Sequence, residues 1–183
     1  MKWVKQSIHY WCPDTKEHKF LGQNVTVAIL DTGISPHPDF KDRILSFRDF
    51  SSTTGSSEKV LFSFSHFSPL IDNSGHGTHV AGILAGSGLL SSGTYAGIAP
   101  FCNLIIGKVL DQNGNGSIKN VINGIQWIRD IYTQFHIRII NISVGTRPDL
   151  SIHQKLLLLN AVESLWDLGL VVVVSAGNYG PAP

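Results

Sequence analysis

The chain has 183 residues, of which 43% are hydrophobic and 15% charged, with a formal net charge of +1. That length fits one domain or a large part of one, and that apolar fraction can build a core. The near-neutral charge gives no reason to expect nucleic acid or acidic membranes as partners, and no apolar run approaches the roughly 18 residues of a membrane span.

Residues 1–24 read as an N-terminal extension. Lys2 and Lys5 stand near its start, but His9, Pro13 and Asp14 break up the stretch after them, so the pattern of a secretory signal is missing. Read alone, the sequence places the protein in the cytoplasm. Cys12 and Cys102 are too few for a disulfide framework and lack metal-ligand spacing, so they read as two unpaired thiols.

Residues 25–30 are a short β-branched run that predicts a buried strand. Asp31-Thr32-Gly33 ends it, and Pro36 and Pro38 prevent a helix from starting at once. Residues 51–57, rich in Ser, Thr and Gly, predict a surface loop. A helix is predicted over 78–84, a glycine-rich loop over 86–97 and a second strand over 103–110. A turn over 111–116 leads to Ser117, a suitable N-cap. Beyond it Ile118, Val121, Ile122, Ile125 and Ile128 repeat at helical spacing and form one apolar stripe. A third strand is predicted over 137–142, and a leucine-rich helix over 151–168 with Gly169 where a C-cap glycine belongs. A fourth strand over 170–174 is apolar throughout. Strands alternating with helices, and nearly continuous apolar strands, predict an α/β fold: a mostly parallel sheet with helices on both faces.

Four segments could carry chemistry. Asp31 closes an apolar strand, and ligands of parallel sheets gather at that edge. Asp-Thr-Gly also occurs in aspartic proteases, but those need an all-β domain, which the helical stripes oppose. Residues 75–82 read Gly-His-Gly-Thr-His-Val-Ala-Gly, placing His76 between two glycines at the start of a helix. Such a fixed, partly open histidine suits a general base. His79 lies three residues on, not the four of a zinc-binding helix, and no glutamate intervenes. Ser175-Ala176-Gly177-Asn178 comes after the last strand, and the Asn178 amide could donate to an oxyanion. Ser143, Val144 and Gly145, after the third strand, could line a pocket or pair with a substrate backbone.

Together these segments resemble the subtilisin-like serine proteases, the subtilase family, from about residue 25 to residue 180. The resemblance implies a three-layer sandwich around a mostly parallel sheet. It implies that residues 25–183 form a partial peptidase domain, incomplete at its C-terminus. By the same resemblance Asp31 is the triad aspartate, His76 the general base and Asn178 the oxyanion-hole asparagine. Ser143, Val144 and Gly145 would lie beside the first specificity pocket, and Gly114, Asn115 and Gly116 would pair with an extended peptide or protein substrate.

The chain departs from the family at several points. Thr146 stands where a second glycine is common. The 86–97 loop lacks the Asn-rich pattern of the calcium site in secreted members, so calcium is not carried over, and no other metal or cofactor is implied. No long propeptide precedes Asp31, which favours the intracellular branch or a truncated gene product. The nucleophilic serine in a Gly-Thr-Ser setting is not found before Pro183, and Gly93-Thr94 is followed by Tyr95. The sequence therefore predicts a serine endopeptidase chain that is inactive alone and completed by a missing C-terminal segment. A half-enzyme joined by a separate chain and a non-catalytic peptide-binding module stand as alternatives.

Overall fold

The structure is a computed structural model and describes residues 2–10, 20–51, 60–61, 71–145 and 150–178. In chain order its elements are α1 (Lys2–Ser7), β1 (Thr26–Asp31), β2 (Ile44–Asp49), β3 (Val60–Leu61), α2 (His76–Ala85), β4 (Asn103–Lys108), α3 (Ile118–Ile131), β5 (Ile137–Ile142), α4 (Ile152–Trp166) and β6 (Val171–Val174). Two short 3-10 turns, Pro38–Phe40 and Leu89–Ser91, interrupt the loops.

One sheet runs β3-β2-β4-β1-β5-β6. Five strands are parallel, and only β3 runs antiparallel to its neighbour β2. β1 lies between β4 and β5, and every one of its six residues is buried. Alternation along the strands sends side chains to two cores. Ala28, Leu30, Ile105 and Ile140 pack with Val121, Ile125 and Ile128 of α3 and Leu165 of α4. Val27, Ile29, Leu104 and Ile106 pack with Ala81 and Ala85 of α2. The fold is therefore α/β, with a mostly parallel sheet between two helical layers.

Local signals explain the helices. Ser117 caps α3, its hydroxyl accepting from the Asn120 amide at 3.1 Å. The α3 stripe is buried at Val121, Ile125 and Ile128, and Gly124, Trp127 and Ile131 widen it, while Ile118 and Ile122 flank it half-buried. A capping box of Ser151 and Gln154 starts α4. Gly169, at φ +77°, closes it: the Gly169 amide bonds the Trp166 carbonyl and the Leu170 amide the Leu165 carbonyl.

The structure corrects several expectations. β2 and β3 were not predicted, nor was α1. The 78–84 helix begins two residues earlier, at His76, and the 103–110 strand ends at Lys108. The 170–174 strand forms as expected; among the described residues β6 pairs only with β5, and Val171, Val173 and Val174 are exposed. Cys102 is a free, buried thiol, whereas Cys12, Thr146 and most of the 51–57 loop lie outside the described residues. Among the described residues no helix is long and apolar enough to cross a membrane.

Candidate active site

Connecting β4 to β5 through α3 carries the chain across β1, so strand order reverses around β1. In an open parallel sheet, the crevice at such a reversal lies beyond the C-terminal ends of the strands. Asp31 is the last residue of β1 and is fully buried. Its main-chain carbonyl is held by the amides of Val109 and Leu110, and its Oδ1 accepts from the Thr32 amide at 2.7 Å.

Beyond it the chain needs glycine. Gly33 has φ +117°, and a Cβ there would lie 2.0 Å from the Ile71 carbonyl oxygen. This close passage brings the 71–75 turn beside the end of β1. Gly75, at φ +82°, is the N-cap of α2 and offers no side-chain cap, so His76 becomes the first helical residue.

His76 Nδ1 lies 2.7 Å from Asp31 Oδ1. The carboxylate side chain is 0% exposed and the histidine side chain 53% exposed. An ionised carboxylate can only accept, so Nδ1 carries the proton and donates. The Nε2 lone pair is thereby left free on a half-exposed ring. Such a pair can act as a general base whose tautomer is set by a buried acid. Among the described residues Asp31 Oδ2 has no hydrogen-bond partner.

Two further charged groups support this corner. Lys108 faces Asp31 in register across β1 and β4 and is buried. Its Nζ donates to the carbonyls of Thr32 and Leu110 instead of to the carboxylate, so it ties the chain after β1 to the chain after β4. Asp72 precedes His76 by four residues and accepts from Thr32, Ser74, Gly75 and Thr78. Burial would push its carboxyl up, but the hydrogen bonds from Thr78, Thr32 and Gly75 outweigh that and hold it below its ordinary value.

The other residues singled out from the sequence reach the same sheet edge without touching the pair. Ser143 accepts from Asn141 Nδ2 at 2.7 Å, and with Val144 it is half-buried, whereas Gly145 is exposed. The Ser175 amide bonds the Ile142 carbonyl, which brings the chain after β6 alongside the chain after β5. Asn178 comes three residues later and is exposed. Gly114, Asn115 and Gly116 form an exposed turn after β4, closed by Asp111, whose carboxylate accepts the Asn113 and Asn115 amides at 2.8 and 2.9 Å. Among the described residues no hydrogen bond joins Asn178 or this turn to Asp31 or His76. Nor is there a group of three or more His, Cys, Asp or Glu placed to hold a metal ion.

The subtilase family model matches residues 22–183. The chain belongs to the subtilase family. This subtilase is 42% identical over 165 residues to the serine protease AprX of Bacillus subtilis (strain 168), covering 87% of this chain and 34% of that protein. It is 37% identical over 161 residues to the major intracellular serine protease of the same organism, covering 87% of this chain and 44% of the relative. Among solved structures, sphericase matches with a TM-score of 0.72 at 29% identity, over 88% of this chain and 48% of that one. The subtilase chain thus spans less than half the length of these relatives.

Sequence reasoning about this subtilase missed Thr32, Asp72 and Lys108. A signal existed for Asp72: an acidic residue shortly before a glycine-rich helix start is a capping pattern. Lys108 gave none, because a lone lysine within an apolar strand reads as a side chain that reaches water.

Proposed function

We propose that this subtilase chain supplies the general base, its orienting carboxylate and an oxyanion donor to a serine endopeptidase acting on peptide or protein substrates. Asp31 holds the His76 ring in one tautomer and stabilises the imidazolium that forms. His76 Nε2 takes the proton from a serine hydroxyl as that oxygen attacks the scissile carbonyl, and later returns a proton to the leaving amine. Asn178 donates to the oxyanion of the tetrahedral intermediate. Residues 143–145 and 114–116 flank the substrate backbone. The nucleophile comes from a Gly-Thr-Ser segment that the 183 residues do not contain, so they do not hydrolyse peptides alone.

The reading is carried by the 2.7 Å contact between a fully buried carboxylate and a half-exposed imidazole at the sheet edge. A structural histidine pair would bury both partners, and a surface ion pair would bury neither.

Joining residues 22–183 to the region of AprX beyond its matched part tests the assignment. The joined protein is expected to hydrolyse a peptide substrate. His76→Ala is expected to remove most of that activity; in subtilisin, a member of this family, losing the histidine costs about 10⁶ in kcat. Hydrolysis that survives His76→Ala undiminished overturns the role given to His76. The 183-residue chain by itself should acquire no stoichiometric serine label from a fluorophosphonate, and a mapped label would overturn its proposed inactivity.

A further inference from the structure

We infer that Asp72 is the positioning residue that sets the His76 ring against Asp31. Among the described residues no hydrogen bond joins it to the ring or to the Asp31 carboxylate. Instead it grips the backbone on both sides of His76, through Gly75 and Thr78, and the side-chain hydroxyl of Thr32, the residue after Asp31. Its Oδ1 accepts the Thr32 hydroxyl at 2.8 Å, the Gly75 amide at 2.9 Å and the Ser74 amide at 3.2 Å. Its Oδ2 accepts the Thr78 amide at 2.8 Å and the Thr78 hydroxyl at 2.5 Å.

Thr32 follows Asp31, Gly75 precedes His76, and Thr78 lies two residues beyond His76. A further bond closes the circuit: the Gly77 amide donates to the Thr32 hydroxyl oxygen at 2.9 Å. Both peptide neighbours of His76 therefore lead to one carboxylate, directly through Gly75 and by way of Thr32 through Gly77. The Thr78 hydroxyl also accepts the Ser35 amide at 2.9 Å, which ties the same helix start to the chain after β1.

This carboxylate replaces an ordinary N-cap. Gly75 has no side chain to satisfy the first amides of α2. Asp72 takes the Thr78 amide, and Thr32 takes the Gly77 amide. Five donors converge on Asp72, and only an ionised carboxylate presents acceptors at both oxygens. An asparagine would turn an NH2 toward one set of donors. Loss of the clamp frees the first turn of α2, and the ring moves with it. An error of about 1 Å in such a ring can cost on the order of 10²-fold in rate.

The inference rests on the protease reading of His76, and its test separates the two. Diethyl pyrocarbonate reacts at an imidazole nitrogen that bears a lone pair, and peptide mass mapping of the modified full chain gives the rate at each histidine. His79, exposed on the same helix, is the internal reference. Asp31→Asn reverses the bond to Nδ1, moves the proton to Nε2 and slows the reaction at His76. Asp72→Asn is expected to slow His76 severalfold relative to His79, and adding Asp31→Asn to it should have little further effect. Thr78→Val should produce a smaller loss in the same direction and Thr78→Ser should restore the rate, which keeps the test decisive where Asp72→Asn fails to fold. An unchanged His76-to-His79 ratio in Asp72→Asn or in Thr78→Val, with Asp31→Asn still slow, overturns the positioning role and leaves the protease reading intact. An unchanged ratio in Asp31→Asn removes the Asp31–His76 pairing itself.

Discussion

The helix that begins with His76 and the chain leaving β1 meet at Gly77 and Gly33, where a Cβ on Gly77 would lie 2.2 Å from the Gly33 carbonyl oxygen and 3.2 Å from the Asp31 Cβ. The contact is backbone against helix, so no side-chain rotation can relieve it. The closeness of this crossing is what allows a histidine on one element to reach an aspartate on the other.

Two alanine substitutions on α2 should therefore act in opposite directions. Replacing glycine by alanine inside a helix ordinarily stabilises by about 1 kcal/mol. Gly82→Ala should do so, since nothing lies within 4 Å of a Cβ at that position. Gly77→Ala should instead destabilise by about 3 kcal/mol through overpacking against backbone, and should separate His76 from Asp31. Urea unfolding of both variants measures the two signs. A neutral Gly77→Ala would show that the crossing is looser than its geometry.

Stability should fall at both ends of the pH range, for separate reasons. Burial pushes Asp72 up, but the Thr78, Thr32 and Gly75 hydrogen bonds hold it below its ordinary 3.8. A lowered acid contributes stability that is complete above the unfolded value and lost as pH falls through the folded one. Burial pushes the Cys102 thiol up from 9.0 to about 11, and the Arg43 charge draws it partly back. That contribution is complete below pH 9.0 and lost as pH rises through about 11. Urea midpoints measured against pH should lose part of their acid limb in Asp72→Asn and part of their alkaline limb in Cys102→Ala. A limb unchanged by its variant would remove that group from the account.

The exposed valines of β6 should make the 183-residue chain self-associate. Leu170 and Val172 pack into the core under α3 and α4, so alternation turns Val171 and Val173 to the opposite face. There Val171 remains 54% exposed and Val173 46%. Across the layer, Leu156, Leu159 and Trp166 of α4 are exposed as well. A strand paired on one side only, with apolar side chains in water, is a template for association. Val173→Lys should reduce binding of a hydrophobic dye and shift the sedimentation profile toward monomer. A monodisperse, dye-silent parent chain would contradict this.

How much of the fold and site was legible in the sequence depended on burial. β1 and β4 announced themselves because strands covered on both faces must be apolar nearly throughout, and β5 did so because four of its six residues are isoleucine. α3 did so because one helical stripe meets the sheet. β2 was hidden: only Ser46 and Phe47 are buried in it, and it ends in Arg48 and Asp49. The run of valines marked β6 as a strand without naming its neighbours. Asp31 and His76 stood out because glycines beside them signal close approach. Asp72 did not, because its work is done on backbone amides and on the hydroxyl of Thr32, forty residues away in sequence.

Asn178 stands exposed beyond the end of β6, at the edge where β1 and β5 also end, and no described hydrogen bond fixes its amide. An oxyanion donor acts on charge that develops only as the carbonyl becomes tetrahedral, so removing it should lower kcat and leave KM nearly unchanged. In subtilisin, the relative from which the magnitude is known, loss of the oxyanion asparagine costs about 10²–10³ in kcat. Asn178→Ala in the protein joined to the AprX segment should show a loss of that order, whereas Asn115→Ala, in the turn after β4, should act mainly on KM. Steady-state kinetics on one extended peptide substrate distinguishes the two. A rise in KM with unchanged kcat for Asn178→Ala would move that residue from the oxyanion to the substrate-binding wall.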